Sequence, residues 1–130
     1  MGQPAAKKDD FIQAVDTHIV MIPAGPALVP TPIPHPFMGK IDGKLSSDVK
    51  IEGKAAATVD STATNSPAHI PQGGSFQKPP GDKGKITLGS ATVNINGKGA
   101  ARNGDMAETC NDPADMPVGT VIAVGTVMIG

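Results

Sequence analysis

Gly97-Lys98-Gly99-Ala100-Ala101-Arg102-Asn103-Gly104-Asp105 decides how this chain is read, because altered copies of it stand twice more in the sequence. The first is Gly2-Gln3-Pro4-Ala5-Ala6-Lys7-Lys8-Asp9-Asp10, and the middle one is Gly53-Lys54-Ala55-Ala56-Ala57-Thr58-Val59-Asp60-Ser61. Repeated units imply one small structural element that buries its apolar face only against its own copies. His18 and His69 each follow the glycine of their copy by sixteen residues, whereas the third copy leads to Cys110. Ligands in phase around a common axis converge on one point, so the repeat predicts a single metal site.

Working outward from the motif, Val49-Lys50-Ile51-Glu52-Gly53 and Val93-Asn94-Ile95-Asn96-Gly97 alternate apolar and polar residues before a glycine, the pattern of a half-buried strand entering a turn. Thr126-Val127-Met128-Ile129-Gly130 repeats the start of that pattern. Each unit therefore reads as strand, glycine turn, Ala-Ala strand and loop. With 16 Gly and 13 Pro, and no long apolar run at helical spacing, the fold class is all-β. Two loops are expected between copies. Pro23 to Phe37 carries Pro26, Pro30, Pro32, Pro34 and Pro36, which keep the backbone extended and without donors, with His35 inside it. Ser61 to Gly84 is rich in Ser, Pro and Gly, carries His69, and reads as an ordered surface excursion.

The chain has 130 residues and no composition break, so one domain over 1–130 with no toxin extension is expected. A net charge of -1, no Trp and no Tyr argue against a nucleic-acid partner, which needs basic patches and stacking platforms. Only 27 residues are Leu, Ile, Val or Phe, so the core is thin and calls for a staple. A single cysteine cannot close an internal disulfide, which leaves a metal. Asp16, His18 and prolines interrupt the moderately apolar stretch Phe11 to Pro30 well short of a membrane span, and the Lys7-Lys8-Asp9-Asp10 start does not resemble a secretory signal. Cytoplasmic synthesis without a signal peptide is the corresponding expectation.

Zinc favours four ligands of imidazole and thiolate type, and His18, His35, His69 and Cys110 supply that set. Their spacings of 17, 34 and 41 residues exclude a knuckle hairpin, so they are expected on separate loops gathered by the fold. The alternative is three exposed loop histidines and a buried free cysteine. Asp9, Asp10, Asp60 and Asp105, at or beside the end of the motif, read as structural carboxylates bonding backbone amides of the following turn. Glu108, two residues from Cys110, would be a general base only if the metal kept a water, and Cys110 in the fourth position removes that chemistry. Gly97-Lys98-Gly99 lacks the spacing and the helix of a phosphate loop.

The Pro-Ala-Ala phrase of the first copy, Gly97 to Asp105 preceded by Thr92-Val93-Asn94-Ile95-Asn96, and the stretch Val29-Pro30-Thr31-Pro32-Ile33-Pro34-His35-Pro36-Phe37 together resemble PAAR-repeat proteins associated with type VI secretion. The resemblance implies a short conical β-structure of three pseudo-threefold repeats, with zinc near its point held by histidines and a cysteine. It implies a base seated on the trimeric spike protein VgrG, one chain per trimer, and a role in piercing a target membrane and delivering effectors, with transient contact with that membrane and secretion along with the spike. Lys7 replaces the motif arginine in the first copy, and the middle copy has neither proline nor arginine and places Asp60 one residue early. The repeat strands, with Val49, Ile51, Val93, Ile95, Val127 and Ile129, are the expected spike-facing surface. A cap with threefold repeats satisfies the open strand edges at the end of a trimeric β-spike. A small zinc hydrolase and a non-piercing effector adaptor are the competing functions.

Overall fold

The computed structural model describes residues 2–130, and among them there is no helix. Thirteen strands follow in chain order: β1 (Gln3–Pro4), β2 (Phe11–Ala24), β3 (Ala27–Gly43), β4 (Lys50–Ile51), β5 (Lys54–Ala55), β6 (Thr62–Asn65), β7 (Ser75–Phe76), β8 (Lys83–Ile86), β9 (Asn94–Ile95), β10 (Lys98–Gly99), β11 (Met106–Thr109), β12 (Met116–Ile122) and β13 (Met128–Ile129). The all-β expectation holds.

The three motif copies close on one another through a ring of backbone hydrogen bonds. Ala6 N–H donates to Ala101 O at 2.9 Å, Ala101 N–H to Ala57 O at 3.0 Å, and Ala57 N–H to Ala6 O at 3.0 Å. A second ring runs Lys8 to Ala55 O, Val59 to Gly99 O and Asn103 to Pro4 O, at 2.8, 2.9 and 2.8 Å. Such cyclic bonding defines a pseudo-threefold axis within one chain. Alanine is required there because three backbones meet: Ala6, Ala57 and Ala101 are all fully buried.

On one side of this ring lie three two-stranded antiparallel pairs, the hairpins β4–β5 and β9–β10 and the long-range pair β13–β1, which joins Gln3 with Ile129 and Pro4 with Met128. The first two turn through Glu52-Gly53 and Asn96-Gly97, where both residues have positive φ, the backbone a tight hairpin turn demands and glycine supplies without strain. Ile51, Ile95 and Ile129 sit at 6–7 % exposure over the buried Ala5, Ala56 and Ala100, forming a small apolar cluster around the axis. Val49, Val93 and Val127 accept from Ala56, Ala100 and Ala5 respectively, and Val93 and Val127 are exposed.

On the other side a seven-stranded sheet, ordered β12-β11-β8-β6-β3-β2-β7, rolls up until β12 also pairs with β2. Its inner face carries Ile12, Phe37, Ile41, Ala63, Ile86, Ala107 and Val121, the main core. Ile41, Ile86 and Val121 are threefold equivalents, donating to Asp10, Ser61 and Asp105 carbonyls at 2.8–2.9 Å.

The proline-rich stretch departs from the expected loop: it is the body of β3, paired with β2 through fourteen continuous positions. Backbone N–H groups alternate sides along a strand, and the Met38 N–H points to the β6 side, where Asn65 Oδ1 accepts it at 3.0 Å. Pro30, Pro32, Pro34 and Pro36 share the parity of Met38, so every missing donor faces the edge away from β2 and the β2–β3 ladder loses nothing. From Pro30 to Pro36 that edge is left unpaired by β6, which begins opposite Gly39 only through Gly43. The Ala-Ala segments also differ from regular strands, being held by the axial rings and by single bridges such as Ala5 to Arg102.

Candidate metal centre

Where the rolled sheet passes beyond Phe37, the hairpin and two connections bring the titratable side chains together. Asp16 and His18 lie two residues apart on β2 and so share a face, both essentially buried. His69 lies on the connection after β6, held by its backbone N–H donating to Asp82 Oδ1 at 3.0 Å and by the approach of Asn65 Nδ2 to its Nδ1 at 3.3 Å. Cys110 follows β11 and is 5 % exposed. One donor atom from each of Asp16, His18, His69 and Cys110 lies within 4.8 Å of every other. This is a group able to hold a metal ion.

Three of the four residues expected from the sequence therefore converge. The fourth, His35 on β3, packs its ring against both histidines, with centroids 5.5 Å from His18 and 5.3 Å from His69. Its Nδ1 and Nε2 lie 2.9 Å from Ile33 O and 3.1 Å from Ile70 O. His18 and His35 come from strands rather than from the loops expected for them, since the proline-rich stretch is itself strand. Phe76 of β7 completes the ring cluster at 5.8 Å from His18.

Both ring nitrogens of His18 are buried and without a hydrogen-bond partner. A buried imidazole with neither nitrogen satisfied is costly, and a cation is the partner that its lone pair and the thiol of Cys110 both suit. The donor chemistry thus fits a metal.

Residues 77–130, which hold the third copy and Cys110, match the family model described as the PAAR motif. That segment carries a PAAR motif. The comparison with curated proteins returns no match. The family of that motif is structural rather than enzymatic in character. Asp10 Oδ2 accepts from Lys7 N–H at 3.0 Å, Asp105 Oδ2 from Arg102 N–H at 2.7 Å, and Ser61 Oγ from Thr58 N–H at 3.0 Å. The Asp10 and Asp105 carboxylates thus bond the amide three residues before them and not the following turn, whereas those of Asp9 and Asp60 reach Lys54 and Lys98, at 3.5 and 3.2 Å. Asp60 is in register with Asp9 and Gly104, all three at positive φ, and Ser61 takes the acidic position of the middle copy. Arg102 adds its guanidinium to Asp105 at 2.8 Å, and Lys7 reaches Asp10 at 3.2 Å. Glu108 points outward to Lys85, at 4.0 Å, and lines a surface groove with Lys83 and Asp115, so it is no base for the metal centre.

Electrostatically the centre suits a cation. Burial, then the charge of His69, lowers the pKa of His18, opposed by Asp112, 3.7 Å away, and by Asp16. Burial, then the charge of Asp16, pushes the Cys110 thiol up to about 12. Without a cation the thiol is protonated; a bound metal displaces that proton. Asp16 had not been singled out in the sequence except as a polar break in an apolar run. Its signal was the i, i+2 relation to His18.

Proposed function

We propose that this chain is the tip of the spike of a contractile injection system of the type VI secretion kind, one chain closing one VgrG trimer, with a zinc ion stapling its far end. The observation that carries the reading is the cyclic bonding of Ala6, Ala57 and Ala101, which gives a single PAAR chain three near-equivalent sides about one axis. A trimeric β-spike ends in three equivalent sets of open strand edges, and a threefold surface made by one chain matches all of them at once. The strand pairs β4–β5, β9–β10 and β13–β1 offer that surface, with Ile51, Ile95 and Ile129 as its apolar centre and Val49, Val93 and Val127 around them.

Zinc is proposed on His18, His69 and Cys110, with His35 as the fourth ligand when its ring turns from the carbonyls of Ile33 and Ile70. Zinc suits imidazole and thiolate and brings no redox chemistry to a structural cross-link. In this role the protein is made in the cytoplasm and leaves it on the spike, and effectors travel as partners of the assembly. Native mass measurement of the complex with the spike protein tests the reading: one chain to three is expected, and a stable complex with a monomeric partner overturns it.

A further inference from the structure

The metal centre contains a charged group that the expected ligand set does not use. Asp16 is fully buried, and no lysine or arginine touches it. Its Oδ2 lies 2.8 Å from His69 Nε2 and 3.4 Å from Cys110 Sγ, and its Oδ1 accepts from Thr109 Oγ1 and lies 3.5 Å from Asn111 Nδ2. Four donors surround one carboxylate, and two of them belong to the residues proposed to bind metal.

Charge arithmetic makes the arrangement informative. A divalent ion on three neutral imidazoles and one thiolate carries a net charge of about +1, and an unpaired charge buried in protein is costly. Conversely, a buried carboxylate beside a thiolate is untenable unless a cation lies close to both. Each charge is the remedy for the other. The 2.8 Å contact to Nε2 also fixes the orientation of the His69 ring.

We propose that Asp16 is the charge-balancing and positioning carboxylate of the metal centre, holding His69 and Cys110 on the ion and rendering the buried site neutral. The inference rests on the metal-site reading above and adds to it a residue outside the His18, His35, His69 and Cys110 set. Its consequence has opposite signs in the two forms of the protein. With metal, Asp16 stabilises; without metal, it is a buried carboxylate held by hydrogen-bond donors and no cation.

The experiment measures zinc affinity by chelator competition, and the melting temperature of metal-free and zinc-loaded protein, for wild type and Asp16→Asn. The expected result is zinc binding weaker by about 10- to 100-fold, as for loss of an outer partner of a ligand. Metal-free Asp16→Asn should melt no lower than metal-free wild type, while its zinc-induced rise shrinks. The reverse case is Thr109→Val, which removes a donor to Asp16 and keeps the charge: the metal-free form should melt lower and zinc should restore most of the loss. Thr109→Val also serves if Asp16→Asn does not fold. An Asp16→Asn protein with unchanged zinc affinity, or one lowered equally in both forms, overturns the proposal and leaves the metal centre standing. A wild-type protein that takes up no zinc overturns the metal centre itself and the proposal with it.

Discussion

Breaking the metal cross-link, by stripping the ion or by Cys110→Ser, should loosen one end of this protein while the other keeps its structure. The reason lies in where apolar burial stops. No residue between Ala63 and Ile86 belongs to either hydrophobic cluster, and Ile70 is 61 % exposed. That segment is held by the short β7 pairing, by Gln77 N–H to Ile19 O at 2.9 Å, by Asp82 on the His69 amide, and by whatever the His69 side chain binds. A metal joining His69 to Cys110 closes a loop of 41 residues, and loop entropy values such a cross-link at about 4 kcal/mol. At a factor of ten for every 1.4 kcal/mol, its loss should speed local opening by about three orders of magnitude, reduced to about two or three by the hydrogen bonds that remain.

Hydrogen exchange read by mass spectrometry resolves this, because it reports opening segment by segment. Peptides within residues 66–82 should lose protection on metal removal, with β2 and β3 beyond His18 following. The amides of Ala6, Ala57 and Ala101 should remain the slowest to exchange in both forms. Equal loss of protection in the base and at residues 66–82, or no loss anywhere, would refute the staple.

Three further outcomes are expected. In metal-free protein the lowered His18 pKa means that the unfolded chain takes up its proton first, so stability is full above about pH 6.5 and declines as pH falls below it; the raised Cys110 pKa adds a decline above about pH 9. Melting temperatures across pH 5 to 10 check both limbs, and Cys110→Ser should lose only the alkaline one. Ala57→Leu, at a fully buried position in the axial ring, should cost about 1–3 kcal/mol or more by overpacking, and Ala101→Leu a similar amount, since the two are equivalent; urea denaturation of both is the test, and a near-neutral effect at either denies the axis. Replacing Pro32 and Pro34 together with threonine restores donors to the free edge of β3 and should produce concentration-dependent association in light scattering, whereas a variant that stays monomeric at high concentration would show that the prolines do not guard that edge.

How much of this was legible in the sequence depended on whether the signal was periodic. The three motif copies and the equal intervals to His18 and His69 are periodic, and the fold sets both histidines in one cluster. The Val-x-Ile strands are equally so, and even the truncated copy at Val127 to Ile129 finds its partner in Gln3 and Pro4. The long hairpin was hidden because proline reads as a strand breaker. Its true signal was parity: prolines at every second position can all face one edge, and only a strand with an unpaired edge accommodates that. Asp16 was hidden for a different reason. Its role is electrostatic and depends on what faces it across the roll, and no local pattern encodes that.

The pseudo-symmetry of the chain also explains why its third copy diverges. Counting eight residues from the equivalent Asp10, Ser61 and Asp105 reaches His18, His69 and Pro113, so the third copy has no ligand in phase, and Cys110 enters three residues earlier. A trimer of identical chains presents identical groups in threes, whereas a four-donor metal shell with one thiolate is not threefold. One chain that repeats itself three times meets both demands: near-equivalence at the base, where Ile51, Ile95 and Ile129 surround the axis, and controlled inequivalence at the metal centre, where each repeat contributes something different. A symmetric trimeric cap could provide the first of these but not the second. In the proposed role, the requirement for one off-symmetry staple at the end away from the spike is therefore a physical reason for the cap to be a single internally repeated chain.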